Sequence, residues 1–519
     1  MMEAKKSIVQ QVEERVAQAR AALGSGDDSG DGKPSSKLIH ECLFANEYGD
    51  GVLFAYLFQD RYLFNKNAGE WFTWQGHFWK RDILGDALGA VEDLVACYLD
   101  EYKRISARIA ELIKSDGEGE AIKKLKLQQK QLLKRASQLR GDNRRTACLK
   151  FAHTLQEGSL AVTGDEFDRD PWLYACANGV INLKTGEIKD GRPGDRISMA
   201  SPVEWQGIDA PAPLWEKIIN EVMNNNDDLA AYLQRLFGYC LTGLTTEQTF
   251  PVLWGKGRNG KSLIVETISY VMGPMAAPIQ AEMLLSQRFS KGSAGPSPDI
   301  MGLRGLRLAF ASETDEGNKF SASKVKWLTG SDNIKGRNPH DKYDTVFKPT
   351  HKLMLLTNSQ PQAPASDFAF WERLHLIPFL LSFVNREPQD ETERRAIVDL
   401  DTQLVEEYPG ILAWLVRGCL LWQKYGLAPP RNITDATETY RQNEDLLAGY
   451  IDERLIQEPG AKEKSSVLYQ DFCEWYEENV GKRVPSGTWF GKEMSRKFEK
   501  TKIKGSNYYH GCALAVREG

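Results

Sequence analysis

Eight consecutive residues carry the sharpest chemical signal in the chain. Gly255, Lys256, Gly257, Arg258, Asn259, Gly260, Lys261 and Ser262 fit the spacing G-x-x-x-x-G-K-[ST]. Glycines at 255, 257 and 260 let successive backbone N–H groups turn inward, an arrangement that suits phosphate oxygens. A helix beginning here would aim its positive dipole end at the same anion. Lys261 could then reach the β- and γ-phosphates, and the Ser262 hydroxyl could ligate Mg²⁺. ATP with Mg²⁺ is therefore the expected ligand pair. The flanks agree with a P-loop: residues 250–254 are a short apolar run of the buried-strand kind, and residues 263–272 read as a helix.

The same glycines also satisfy G-x-G-x-x-G, the dinucleotide fingerprint, which needs a second strand ending in an acid about 20 positions on. Glu282 is near that distance, but residues 276–281 contain Pro278 and no β-branched run, so no strand is expected there. A kinase glycine loop would need H-R-D and D-F-G downstream, and neither occurs.

The elements that must position this loop follow it in order. Residues 306–313 read as a second buried strand ending in a carboxylate, and Glu313 is the candidate general base and metal-shell acid. A third apolar run, residues 352–357, ends at Asn358, which would lie beside Glu313 if the two strands are parallel neighbours. Between them, residues 324–348 read as a projecting hairpin whose arms and tip carry Lys335, Arg337, His340 and Lys342, cations suited to phosphate contact. Arg373 precedes a further strand, where it could complete a neighbouring subunit's ATP site.

With 519 residues the chain should divide into three or four units. Its net charge of −5 makes any nucleic-acid surface a local patch. Eight scattered cysteines without a C-x-x-C pair argue against zinc or a disulfide framework and for a reducing compartment. No run approaches the ~18 apolar residues of a membrane span, so a cytoplasmic, membrane-free protein is expected. Residues 1–22 read as a charged helix, a solvated tail sooner than a partner-docking element, followed by a Gly/Ser/Asp-rich linker at 24–36. An α+β region runs from 38 to about 205, with short strands around residues 61–64 and 70–79 and long helices at 83–113 and 120–139. The second helix is basic (Lys123, Lys124, Lys126, Lys130, Lys134, Arg135, then Arg140, Arg144 and Arg145). It could track a phosphate backbone or simply be a solvated face. The tail, with helices near 441–457 and 467–479, a third from Ser486 and a strand pair at 500–504 and 508–516, fits a winged helix. Lys492, Arg496 and Lys497 share a face of its third helix, although many winged helices bind only protein.

In this order, the elements resemble the superfamily 3 helicases of the phage and plasmid primase–helicase family, whose poxvirus relative is a primase–helicase. The resemblance covers roughly residues 40–515. Gly255 to Ser262 looks like that family's Walker A, the strand ending in Glu313 its Walker B, residues 328–332 its B′ element, and residues 357–361 its motif C with Asn358 as sensor. Arg373 sits where the family has its arginine finger, and residues 71–76 and 178–187 resemble its pre-helicase domain. Two departures stand out. Ser312 precedes Glu313 where many members carry paired acids, which would leave metal binding to Ser262 and water. Glu372 replaces a second basic residue often found beside the finger.

The resemblance implies an α/β chain with four parts: an N-terminal helix and linker (1–37), an α+β pre-helicase domain (38–209), an AAA+ P-loop NTPase core (210–430) and a C-terminal winged-helix domain (431–519). It further implies a homohexameric ring, ATP shared between subunits, and 3′→5′ movement on single-stranded or forked DNA in replication of a phage, plasmid or mobile element. Asp168 and Asp170 form a D-x-D without a histidine partner and read as loop residues, so priming is expected from a separate primase or initiator. Two other classes stay open: an ATP-dependent replication initiator without processive unwinding, and a P-loop small-molecule kinase, which would not explain the basic hairpin.

Overall fold

The computed structural model describes residues 33–115, 119–286, 295–312, 319–339, 343–365, 367–444, 446–481, 484–503 and 505–515. The helix expected over residues 1–22 and the linker expected over 24–36, as far as residue 32, lie outside the described residues, as do Glu313, His340 and Lys342; the linker's last residue, Ser36, already opens a helix.

Helix α1 (Ser36–Phe44) begins at Ser35, whose hydroxyl accepts from the Leu38 amide at 3.2 Å. Helix α2 (Asn46–Phe58) follows, then strands β1 (Tyr62–Asn65), β2 (Glu70–Trp74) and β3 (Trp79–Arg81). The long helix expected from residue 83 starts later, as α3 (Val91–Lys114). The Asp82 carboxylate accepts from the amides of Gly85, Asp86 and Ala87 at 2.8–2.9 Å and Gly85 has φ +79°, so the chain turns here, and one short helical turn (Asp86–Gly89) precedes α3. Helices α4 (Gly119–Leu139) and α5 (Asp142–Ala152) then lead to β4 (Ala161–Val162), which completes a sheet of order β3-β2-β1-β4.

One buried carboxylate ties these helices together. Asp50 accepts from Arg135 at 2.7 Å, Arg144 at 2.8 Å and the Tyr98 hydroxyl at 2.9 Å. Burial raises its carboxyl pKa, against the two guanidinium groups that lower it. Removing one partner of such a cluster leaves uncompensated charge in the core. Asp50→Ala is accordingly expected to cost this domain ~3–5 kcal/mol, read as an earlier unfolding transition in urea.

Strands β5 (Leu173–Cys176), β6 (Gly179–Asn182) and β7 (Glu187–Lys189) form an antiparallel sheet. Tyr174, Cys176, Ile181 and Leu183 share one continuous core with α6 (Pro213–Val222) and α7 (Asp227–Cys240). The boundary expected at 209 therefore falls inside a single core.

Five parallel strands form the central sheet: β8 (Phe250–Trp254), β9 (Ala276–Pro278), β10 (Leu308–Ser312), β13 (Lys352–Thr357) and β14 (Leu374–Pro378), in the order β14-β8-β13-β10-β9. Their near-continuous apolar runs reflect burial on both faces. Met354 and Leu356 join the core that includes α6 and α7. Leu353 and Leu355 join the opposite one, with Phe320 and Phe370. Helix α8 (Lys261–Met272) follows β8 directly. The strand excluded at 276–281 exists as β9. It is an edge strand, where a terminal proline removes no needed ladder bond. The dinucleotide reading fails instead because β13 and β10 separate β9 from β8.

The segment expected as one long hairpin splits in two. Residues Ala322–Leu328 are helix α9, and only β11 (Ile334–Gly336) and β12 (Thr345–Phe347) pair, with Ile334 opposite Phe347. After β14 come the paired strands β15 (Ser382–Val384) and β16 (Glu393–Arg395), a short helix α10 (Leu400–Val405) and α11 (Tyr408–Tyr425). Helix α11 packs against α7 at an unusually close backbone approach. A Cβ at Gly238 would meet Cys419 N at 2.1 Å, and one at Gly418 would meet Gln234 O at 2.1 Å.

Helix α12 (Arg431–Glu444) belongs to this unit, not to the tail. Tyr440 lies in the core with Phe250 and Trp371, and the Thr437 hydroxyl accepts from Leu376 N at 3.0 Å. The C-terminal part begins with α13 (Leu446–Arg454) and β17 (Leu455–Ile456). It continues through β18 (Lys462–Lys464), α14 (Ser465–Asn479), α15 (Gly487–Lys497), β19 (Lys500–Ile503) and β20 (Ser506–His510). Ser486 caps α15 by accepting from Trp489 N at 3.3 Å. The expected second hairpin strand breaks at Gly511 (φ +82°), and β21 (Ala513–Leu514) pairs with β17 instead. This part has its own core around Tyr450, Phe472, Phe490 and Tyr509.

Candidate functional site

Parallel strands bring their C-terminal ends to one edge of the sheet, and loops leaving that edge form the natural ligand crevice of an α/β protein. Here β8 delivers the glycine loop, β10 delivers Ser312 and β13 delivers Thr357 and Asn358 to the same edge, since Ser312 is registered against Leu356 and Thr357 against Trp254. Together they line a cleft of about 290 Å³ formed by residues 257–263, Ser312 and residues 356–358.

The loop needs its glycines. Gly257 and Gly260 have φ of +102° and +83°. A Cβ at Gly255 would meet Asn259 Nδ2 at 2.2 Å and Phe379 O at 2.3 Å. Gly260 is the residue from which α8 starts, so the helix's first amides face the cleft.

Lys261 is buried, with 5% of its surface exposed, and donates from Nζ to Gly255 O (2.7 Å), Asn259 Oδ1 (3.0 Å) and Asn358 Oδ1 (3.1 Å). All three acceptors are neutral. Burial without a described counter-charge pulls its pKa down to about 8. The geometry thus joins Lys261 to Asn358, two residues 97 apart in sequence. Asn259 is itself held, 4% exposed, with Nδ2 3.4 Å from Phe379 O. Lys256, Arg258 and Ser262 are exposed on the rim, Arg258 in a left-handed conformation (φ +47°).

Arg373 lies apart from this group. It immediately precedes β14, whose Leu374 pairs with Phe250 at the start of β8, so it sits at the opposite edge of the sheet from the glycine loop. Its guanidinium donates to Ala369 O at 2.8 Å and Gln248 Oε1 at 2.9 Å, and Nε is buried without a partner. Glu372 beside it is exposed. Lys335 and Arg337 occupy the β11–β12 hairpin, where both turn to Asp344, at 2.8 and 4.0 Å. The Lys335 ammonium holds the Asp344 carboxyl below its ordinary range. Tyr343, 83% exposed, stands on the same hairpin. In the tail, Arg496 pairs with Glu493 at 2.6 Å.

Asp168 is more than a loop residue. Its carboxylate accepts from the Ser198 amide at 2.9 Å and from the Ser198 hydroxyl, fastening two loops together. No cluster of three or more metal-ligating side chains occurs among the described residues.

Sequence reasoning missed an apolar cavity of about 350 Å³ on the other side of Arg258 and Gly260. Ile218, Val222, Leu263, Phe383 and Leu400 wall it, with Glu221 and Asn385 at its edge. These residues come from four separated segments and follow no shared period, so only their assembly reveals the cavity. Its size and apolar walls suit a planar heterocycle attached to phosphates in the adjoining cleft.

Residues 51–224 match the family described as "D5 N terminal like". The chain is 30% identical over 332 residues to "Putative helicase L207/L206" of Acanthamoeba polyphaga mimivirus, covering 62% of this chain and 34% of that protein. It is 23% identical over 395 residues to "Putative helicase 022R" of Frog virus 3 (isolate Goorha), covering 63% and 40%. It is likewise 23% identical over 437 residues to "Putative primase C962R" of African swine fever virus (isolate Tick/Malawi/Lil 20-1/1983), covering 78% and 43%. The chain thus spans between a third and under half the length of these relatives. Among the described residues, no helix is long and apolar enough to cross a membrane.

Proposed function

We propose that this chain is a nucleoside-triphosphate-driven motor that separates nucleic-acid strands, with ATP as its fuel and a superfamily 3, AAA+ type of core. One observation carries the reading: a buried lysine at the mouth of a glycine loop, hydrogen-bonded to neutral oxygens alone among the described residues and facing a cleft of phosphate size. Such a site is electrostatically incomplete without an anion. The sheet order β14-β8-β13-β10-β9 supports it by placing Asn358 between the glycine loop and the strand that leads to Glu313. The names of the viral relatives, helicase and primase, point the same way.

In this reading the loop amides and Lys261 hold the β- and γ-phosphates, and the apolar cavity takes the base. Mg²⁺, held by Ser262 with water, would neutralise phosphate charge. Asn358 orients the attacking water and Glu313 accepts its proton. Arg373 reaches the cleft of the next subunit in a ring, most simply a hexamer. The β11–β12 hairpin engages single-stranded DNA, with Tyr343 available to stack on a base. The C-terminal part serves as a winged helix, and a separate primase supplies primers.

The test is strand displacement on a forked duplex with and without ATP. Wild-type chain is expected to unwind only with ATP. The Lys335→Glu/Arg337→Glu variant should keep its DNA-independent ATP hydrolysis within about twofold, since both side chains lie outside the cleft, yet lose DNA stimulation and unwinding. A chain that hydrolyses ATP and responds to DNA but never displaces a strand is an initiator, and the motor reading is then wrong.

A further inference from the structure

The helical hairpin of α3 and α4 carries charge that the ATPase reading leaves unused. The inner half of α4 is buried in the N-terminal core through Leu132, Arg135, Ala136 and Leu139, and Ile122 and Leu125 of the outer half pack against that core half-buried. From Gly119 to Gln131 no residue is fully buried, and the face of the outer half that carries the lysines is exposed. The arginines of this segment are committed elsewhere: Arg135 and Arg144 to Asp50, and Arg140 to Glu92. The lysines are not. Lys123, Lys126, Lys130 and Lys134 recur at steps of three, four and four residues, which aligns them on one helix face, with Lys124 beside them. All are exposed, and none makes an ion pair among the described residues.

The neighbouring helix does not neutralise this row. On α3, Asp100 is taken by Lys103 and Glu101 by Arg104, and the outer half adds Arg108 and Lys114 against Glu111. Residues 103–134 hold nine Lys/Arg and four Asp/Glu, a net of +5 in a chain whose total is −5. Like charges one turn apart oppose helix formation. The row therefore costs local stability and meets no opposite charge among the described residues, which is the pattern of a surface complemented from outside. A lipid surface fits poorly. The apolar face of α4 already packs inward through Ile122, Leu125 and Leu132, leaving Leu127 and Leu133 as isolated exposed side chains among lysines.

We propose that the Lys123–Lys134 face of α4 binds a nucleic-acid backbone, as an anchoring surface separate from the β11–β12 hairpin. The 11 steps from Lys123 to Lys134 rise about 16 Å, the run of about five phosphates along one strand at ~3.4 Å each. Lysines in line contact phosphates without reading bases, so the surface grips and does not select. The inference rests on the chain acting on nucleic acid, and its test separates the two claims.

The experiment titrates the full chain against fluorescent single-stranded and duplex oligonucleotides across a series of KCl concentrations. Wild type is compared with Lys123→Gln/Lys130→Gln/Lys134→Gln and with the corresponding triple Lys→Arg variant. The glutamine variant is expected to flatten the plot of log affinity against log salt by about 2–3, at 0.7–0.9 per lost phosphate contact. It should weaken binding at least ~10-fold near 0.1 M salt, with DNA-independent ATP hydrolysis unchanged. The arginine variant restores the slope. Whichever oligonucleotide shows the larger change identifies single-stranded or duplex backbone as the ligand. An unchanged slope with both oligonucleotides overturns the proposal. So does a defect confined to sedimentation with phosphatidylserine vesicles, which assigns the face to membrane. Loss of slope in a chain whose ATP hydrolysis ignores DNA leaves this surface standing and sinks the motor reading alone.

Discussion

Replacing Lys261 by alanine is expected to lower ATP hydrolysis by about 10²–10³-fold, the effect of removing one preorganised charge from a developing phosphate transition state. The structure explains why the loss should fall on chemistry and on phosphate affinity together. The ammonium is 5% exposed and spans three elements by bonding Gly255 O, Asn259 Oδ1 and Asn358 Oδ1. Removing it deletes the charge and also the link that holds Asn358 toward the loop. A pH signature accompanies the charge. In the free site burial brings the lysine pKa down to about 8. An incoming triphosphate favours the charged form and raises that value. Below pH ~8 the ammonium is already present and binding needs no proton. Above it the free site is neutral, binding must take up a proton, and affinity should fall by up to tenfold per pH unit until the bound-state pKa is reached. Calorimetry of nucleotide binding at pH 8.5 in two buffers of different ionisation enthalpy reads the uptake directly. Equal heats in both buffers, or pH-independent affinity from 7 to 9.5, would remove Lys261 from the phosphate site.

The parts of this site that could be read from sequence were those encoded locally. Phosphate-loop spacing depends on eight adjacent residues whose backbone conformations glycine alone permits, and β8, β10 and β13 are apolar runs long enough to signal burial on both faces. Asn358 could be placed only conditionally, and then beside Glu313, because strand order is a long-range property. It required β13 to enter the sheet between β8 and β10, a choice made by packing across 97 residues. The edge strand β9 was excluded for the complementary reason. Three residues ending in proline hold too little hydrophobic pattern to announce a strand, and only the partner β10 makes them one. Domain limits misled in the same way. Tyr174 and Ile181 precede the boundary expected at 209 and Tyr440 follows the one expected at 430, but each fills a core whose other members lie far along the chain. The apolar cavity behind Arg258 was illegible because its walls share neither period nor proximity.

Replacing Arg373 by alanine is expected to abolish hydrolysis more completely, by ~10³–10⁵-fold if it serves as a finger on the transferring phosphate, while leaving nucleotide affinity nearly unchanged. The geometry forbids a role in its own subunit's cleft. β14 and β8 are parallel and registered from Leu374–Phe250 to Pro378–Trp254, so Arg373 and the glycine loop lie at opposite ends of a five-residue strand, roughly 15 Å apart at ~3.3 Å per residue. Ala369 O and Gln248 Oε1 hold the guanidinium where it is, while Nε remains buried and unpartnered. In the proposed ring this arginine would act on the cleft of the neighbouring subunit. Head-to-tail assembly would supply one, since every subunit then offers a cleft at one face and an arginine at the other. The decisive measurement mixes two inactive chains. Lys261→Ala chains retain the arginine and Arg373→Ala chains retain the cleft. In a random equimolar ring, about one interface in four pairs an intact cleft with an intact arginine. Hydrolysis should therefore return to about a quarter of the wild-type rate, although neither chain alone has any. If mixed rings form and stay inactive, Arg373 does not act across an interface. If Arg373→Ala chains alone hydrolyse ATP at the wild-type rate in intact rings, it does not act on the phosphate at all. Recovery on mixing would show in one assay that the site is split between subunits.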